Sequence, residues 1–251
     1  MSILKTLIRY YDRKTAQVFI SRVFRELNST VYDGPFKGMK YIKKSNGSSL
    51  MPKILGTYER ELHPVIGQII SAEYQNIVDI GCAEGYYAVG FAYTCRNKPD
   101  FHVYAFDTNK DALQNLMKLS ALNSVADKIT IAERCDYCDF ELFKDKRTLI
   151  FCDIEGDELT LLDPSRAPSL AQYDLLVEIH DSGHEAGIIK TRLRERFQQT
   201  HLLQLIKYTS RSIQEADAIT CTTKVQFKRL ALTEGRKKGL EWMWIKREHR
   251  K

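Results

Sequence analysis

Beyond residue 70 the chain alternates short, uninterrupted apolar runs with stretches in which apolar residues recur every three or four positions. Runs of that length bounded by turn residues suit strands buried on both faces, and the three-to-four spacing suits helices with one buried side. The strands read as NIVDIG (76–81), HVYAFD (102–107), KITIAE (128–133), TLIFCD (148–153), DLLVEIHD (174–181), LLQLIKY (202–208) and LEWMWIK (240–246). Helices are expected at about 85–95, 109–123, 157–162 and 185–199. This alternation predicts an α/β fold, a largely parallel sheet with helical crossovers. Acidic residues recur at the strand ends, which puts a ligand crevice along the carboxyl edge of the sheet.

The front of the chain follows the helical period alone. Leu4, Leu7, Ile8 and Tyr11, then Phe19, Val23, Phe24 and Leu27, are spaced for one or two amphipathic helices. KKSNGSSLMP (43–52) is the clearest break, so residues 1–45 read as a helical extension or cap and residues 46–251 as the main domain. Lys5 and Arg9 interrupt the first apolar stretch, unlike a signal peptide, and no run approaches the ~20 apolar residues of a membrane span. A cytoplasmic protein is expected. Lys5, Arg9 and Arg13 leave a peripheral membrane contact open, although a cap over the acceptor crevice is the preferred reading.

Composition narrows the class. With 251 residues, 43% of them hydrophobic, the chain can bury one full core without disulfides. The six cysteines therefore read as reduced thiols, and Cys135-x-x-Cys138 lacks the second ligand pair that zinc needs. Charge is unevenly placed. Residues 1–71 hold 12 basic and 5 acidic side chains, residues 190–251 hold 16 and 6, and the middle holds 10 and 21. An acidic centre suits a cationic ligand, and basic ends suit an anionic surroundings or are simply solvated helix faces.

The strongest chemical signal is VDIGCAEG (78–85), a strand running into a turn bounded by Gly81 and Gly85. Glycines there let the backbone turn sharply and approach a ligand. A dinucleotide site would show G-x-G-x-x-G and receive a pyrophosphate on bare amides; here position 83 is Ala, and Asp79 stands beside the turn. An acid in that place suits a ligand with an amino group and a sulfonium. Asp107 ends the second strand, where a carboxylate can accept both hydroxyls of a ribose, and Asp136, after the third, is placed to accept from an adenine amino group.

These residues resemble class I S-adenosylmethionine (SAM)-dependent methyltransferases, and more narrowly the FkbM-like family. The resemblance rests on VDIGCAEG, Asp107, FCDIEGDE (151–158), VEIHD (177–181) and GTYERE (56–61), and covers roughly residues 50–250. It implies a Rossmann-like sheet of seven strands with the last antiparallel, helices on both faces, SAM as donor, and O-methylation of a sugar, polyketide or similar small hydroxylated acceptor. Donor contacts are then expected from Asp79, Gly81, Cys82, Gly85, Asp107 and Asp136, and the resemblance adds Glu59 near the donor's methionine or ribose end. The family often carries Asn after the Gly-Ala of the motif, whereas this chain has Cys82-Ala83-Glu84.

Asp153, Glu155, Glu178, His180 and Asp181 end two strands expected to be neighbours. They suit a general base plus orienting acids, with His180, Asp153 and Glu155 as catalytic candidates, or an oxygen-and-nitrogen site for Mg²⁺ or another divalent ion, drawing on Asp153, Glu178 and Asp181. Alternatively Glu178 and His180 satisfy backbone groups in a polar crevice. Trp242, Met243 and Trp244 read as a buried strand rather than a base-stacking platform, and no N-P-P-Y or D-P-P-Y segment follows the fourth strand. Nucleic acid is thus disfavoured as a partner. The alternatives are a methyltransferase of protein or RNA using the basic ends, or a non-catalytic SAM-binding partner protein; a nicotinamide oxidoreductase is disfavoured by the missing glycine pattern.

Overall fold

The computed structural model describes residues 3–180, 187–221, 224–234 and 241–248, with side chains described from residue 15 onward apart from Gln226. Seven strands form one sheet in the order β3-β2-β1-β4-β5-β7-β6. They are β1 (Asn76–Ile80), β2 (His102–Phe106), β3 (Ile129–Ala132), β4 (Thr148–Cys152), β5 (Asp174–Ile179), β6 (His201–Lys207) and β7 (Glu241–Arg247). Every pairing among β1 to β5 is parallel, and β7 runs antiparallel to both β5 and β6. This is the Rossmann-like α/β architecture with an antiparallel last strand that the sequence predicts.

Helices α1 (Ile3–Glu26), α2 (Leu50–Leu55), α3 (His63–Ser71), α4 (Tyr86–Thr94) and α5 (Lys110–Leu122) precede β3. The short α6 (Tyr137–Glu141) and α7 (Glu158–Leu161), then α8 (Ile188–Phe197) and α9 (Val225–Leu232), complete the set. Residues 181–186, at the expected start of α8, lie outside the described residues, as do Asp181 and His184.

Strand alternation divides the core into two layers. Ile77, Val103, Leu149, Phe151, Leu176, Trp242 and Trp244 face one layer with residues of α1 to α5. Val78, Ile80, Ile150, Cys152, Val177, Met243 and Ile245 face the other with Ile189, Leu193 and Phe197 of α8. The central β1, β4 and β5 are buried at every position, while the edge strand β6 alternates. Both tryptophans of β7 are core residues, Trp242 packing on Phe151 with ring centroids 5.1 Å apart.

The front piece is one long helix rather than two. Phe19, Val23, Phe24, Val31, Phe36, Met39 and Tyr41 belong to the same apolar cluster as Ile77 and Phe91, so residues 15–45 share the core of the main domain. Phe19 meets Phe227 of α9 at 5.0 Å, and Glu26 accepts the Thr220 amide at 2.6 Å and the Cys221 amide at 3.2 Å. Among the described residues, Phe19 and Val23 of α1 thus pack on α9 and the core, and the crevice is lined from Asn46 onward. Among the described residues no helix is long and apolar enough to cross a membrane.

Candidate active site

Strand order reverses at β1, with β2 on one side and β4 on the other, so the chain diverges from their carboxyl ends and leaves a crevice. A cleft of about 1000 Å³ opens there. Its wall includes Asp79, Gly81, Cys82 and Ala83 of the first turn, Asp107 after β2, Asp136 after β3, Asp153 and Glu155 after β4, and Glu178 and His180 of β5 and its end. Residues remote in sequence therefore meet in one cavity, as their strand-end positions predict.

The first turn is built from left-handed backbone. Gly81 has φ +84°, Ala83 φ +47° and Gly85 φ +91°. A Cβ on Gly81 would lie 1.7 Å from the carbonyl oxygen of Asp153, so the glycine is demanded by the backbone crossing from β4. Gly81 also lines the cleft, so this backbone demand stands beside the ligand clearance expected of it. Gly85 does not line the cleft; a Cβ there would meet Leu116 Cγ at 2.7 Å. Asp107 braces the turn: Oδ2 accepts the Ala83 amide and Oδ1 the Asn109 amide, each at 2.8 Å. Each oxygen keeps a lone pair for a ligand hydroxyl.

Asp79 shares the strand face of Ile77, the face that α4 covers, and is 1% exposed. Its Oδ2 has no hydrogen-bond partner. Burial first, then the neighbouring Asp107 charge, pushes its pKa up to about 8, against weaker opposition from the Ala88 amide and Lys53. A buried carboxylate with an unpartnered oxygen gains most from a cationic partner.

The second wall was not anticipated. Glu84, fully buried, pairs with the buried Lys53 at 2.5 Å and accepts from Tyr41 Oη at 2.6 Å and the Asn46 amide at 2.7 Å. Burial raises the Glu84 carboxyl, but Lys53 and these hydrogen bonds outweigh it and hold the group below its ordinary value. The Ser/Gly/Asn-rich break is consequently tied to the glycine turn, and Asn46, Gly47 and Ser48 line the cleft. Glu59 is fully buried and does not itself line the cleft; Tyr87, which does, donates to its carboxylate. The motif-free segment after β6 supplies Arg211, paired with Glu61 at 2.9 Å and with Glu234 at 2.6 Å, and Glu234 lines the cleft.

The third wall centres on His180. Its Nδ1 lies 2.6 Å from Oε1 of Glu158, while Nε2 faces Glu178 Oε2 at 3.3 Å, Asp153 Oδ1 at 3.4 Å and Glu155 Oε2 at 3.7 Å. Glu155 gets there through a left-handed turn, φ +59°, beyond the end of β4, so strand alternation alone does not place it. Burial pushes the imidazole down, but hydrogen bonding to Glu158 and Glu178 and the charges of Glu178 and Asp153 outweigh it and lift its pKa to about 10. This environment favours the imidazolium beyond the ordinary histidine value from which a base near neutrality is expected.

Other expected residues fall into place unevenly. Asp136 is exposed on the cleft rim, its Oδ1 3.4 Å from Arg134 Nε. His63, His102 and His201 bond to Tyr58 O, Thr130 Oγ1 and Tyr173 O, which are structural roles. Tyr41, Lys53, Glu158 and Arg211 had no assigned part. Of these only Glu158 carried a signal, as the last residue of FCDIEGDE.

No family model matches the sequence, and no curated protein matches it. Solved structures similar to it include the precorrin 8w decarboxylase of Methanobacterium thermoautotrophicum, 14% identical over 82% of this chain and 96% of its own, TM-score 0.49. A human methyltransferase 10 domain containing protein is 10% identical over 95% and 99%, TM-score 0.48. An O-methyltransferase of tomaymycin synthesis from Streptomyces achromogenes, solved with SAM, is 11% identical over 76% and 81%, TM-score 0.47.

Proposed function

We propose that the chain is a SAM-dependent methyltransferase of the FkbM-like kind, acting on a hydroxyl of a small acceptor such as a sugar or polyketide. The observation that carries this reading is the buried, partnerless carboxylate oxygen of Asp79 in a cleft whose next strand end offers Asp107. SAM brings an ammonium and a sulfonium for the first acid and ribose hydroxyls for the second. A pyrophosphate would instead meet two carboxylates and the Glu84 side. In the reaction the acceptor oxygen attacks the methyl carbon, the C–S electrons return to sulfur, and the hydroxyl proton leaves. Products are the methyl ether, S-adenosylhomocysteine and a proton. Donor alignment is the larger part of the catalytic task, worth ~7–11 kcal/mol when reacting atoms are held in line. Asp153, Glu155 and His180 line the same cleft, where an acceptor hydroxyl beside them would meet the expected base or divalent ion.

Calorimetry with SAM tests the donor reading. Asp107→Ala should weaken binding by about 1.5–3 kcal/mol, the worth of hydrogen bonds to a charged group. Unchanged affinity in a variant that melts like the parent protein would refute the ribose assignment.

Binding should also depend on pH through Asp79. Its pKa, about 8, is far above an unfolded aspartate's, so Asp79 makes the protein lose stability as pH rises from about 4 to about 8. An ammonium beside it favours the carboxylate, so SAM binding below pH 8 must expel that proton. Affinity is expected to rise with pH toward 8, by up to about tenfold per unit, and Asp79→Asn to flatten the profile. The protonation heat, compared between two buffers, measures the proton directly; no difference between buffers would exclude the linkage.

A further inference from the structure

The group around His180 has a geometry that its hydrogen bonds alone do not explain. Nε2 can carry one proton, and its hydrogen bond goes to Glu178 at 3.3 Å, yet two further carboxylate oxygens, of Asp153 and Glu155, face it at 3.4 and 3.7 Å. Ligands held 2.0–2.2 Å from a common ion lie about 3 Å apart in octahedral and about 3.5 Å apart in tetrahedral arrangement, close to the 3.3 to 3.7 Å that separate Nε2 from these oxygens. The other ring nitrogen is occupied: Nδ1 lies 2.6 Å from Oε1 of Glu158, a fully buried carboxylate whose Oε2 has no partner. A carboxylate on the far nitrogen fixes the ring and turns Nε2 toward the carboxylates, the support that metal-binding histidines receive, and an ion bound there would release the Nε2 proton. Asp153, Glu155 and Glu158 meet no Lys or Arg ion pair among the described residues.

We propose that Asp153, Glu155 and His180 Nε2 bind one divalent transition-metal ion at the cleft wall, with Glu178 beside it and Glu158 orienting the imidazole. The three ligand atoms lie within 4.8 Å of one another. An imidazole among carboxylates favours Mn²⁺, Fe²⁺ or Zn²⁺ over the Mg²⁺ that carboxylates alone suggest. All three ligands line the cleft, so the remaining coordination positions face it, open to an oxygen donor. Such an ion would hold the acceptor hydroxyl and make it easier to deprotonate. That role rests on the methyl-transfer reading; ion binding itself does not.

The test is titration of the full chain with Mn²⁺, following free Mn²⁺ by electron paramagnetic resonance. One Mn²⁺ per chain is expected, not displaced by equal Mg²⁺. Asp153→Asn and His180→Gln should abolish saturable binding, and Glu158→Gln should weaken it 10–100-fold, the usual effect of losing the group behind a ligand. Each variant is checked for cooperative melting. Should the variants not fold, spin-echo modulation on the parent protein decides: nitrogen coupling to bound Mn²⁺ supports the site, and its absence overturns it. No saturable binding, or binding undiminished in folded His180→Gln, also overturns it. A chain that binds Mn²⁺ but not SAM keeps this site and loses the methyltransferase reading; the reverse result removes the ion alone.

Discussion

Gly81→Ala is expected to cost at least about 4 kcal/mol of stability, beyond what most single substitutions do. Two independent costs add. The left-handed φ of +84° charges any L side chain ~1–2 kcal/mol. The new Cβ would also sit 1.7 Å from the Asp153 carbonyl oxygen and 2.7 Å from its carbon, and backbone cannot rotate away as a side chain can. Relief requires β1 and β4 to separate at their carboxyl ends, where the cleft is built. At ~2–4 °C per kcal/mol for a chain of this size, the melting temperature should fall by about 8–16 °C. Other glycines grade the effect. Gly85→Ala meets Leu116 Cγ at 2.7 Å, a flexible neighbour, and should cost less, while Gly47→Ala meets nothing within 4 Å and should show only the conformational cost. Thermal denaturation of the three variants checks the order; Gly81→Ala melting within about 2 °C of the parent would refute it.

The second large effect belongs to the buried pair Lys53 and Glu84, 3% and 0% exposed. Lys53→Met should destabilise by about 3–5 kcal/mol, because it leaves a buried carboxylate uncompensated rather than because the pair itself is strong. The double variant Lys53→Met with Glu84→Gln should be less damaging than the two single costs added, since neither charge is then stranded. The pH dependence carries the sign. In the parent, Glu84 titrates below its ordinary value, so its stabilisation is complete above about pH 4.5 and is lost as pH falls through the folded pKa. Without Lys53 two of the causes that lower it are gone while burial remains, so the folded pKa rises and the loss of stability on acidification should shrink. Denaturant midpoints from neutral pH into the acid range, for parent and variant, test this change. Because Lys53 and Asn46 line the cleft, the variant should bind SAM more weakly as well.

Much of this site could be located in the sequence. The ends of β1, β2, β4 and β5 were marked by Asp79, Asp107, Asp153 and Glu178, and strand alternation put Ile77 and Val78 into different layers. Such information is local: period two and apolar runs reflect which faces are buried, and glycine beside an acid marks a turn whatever surrounds it. On that basis the seven strands, their α/β alternation and the cleft edge were determined by the sequence itself.

What the tertiary structure decided is the state of each group. Lys53 meets Glu84 across 31 positions and Glu158 meets His180 across 22, separations that no periodicity encodes. Arg211 and Glu234, in a segment without a motif, join GTYERE only because β6 and α9 return to the cleft. Protonation follows the same rule. Asp79 is driven toward neutrality and His180 toward its charged form because desolvation and neighbouring charges act through space, and burial and distance exist only once the chain is folded. Gly81 shows the same division: its need for a turn could be read from VDIGCAEG, but the Asp153 carbonyl that forbids a side chain comes from β4 and is supplied by the fold alone.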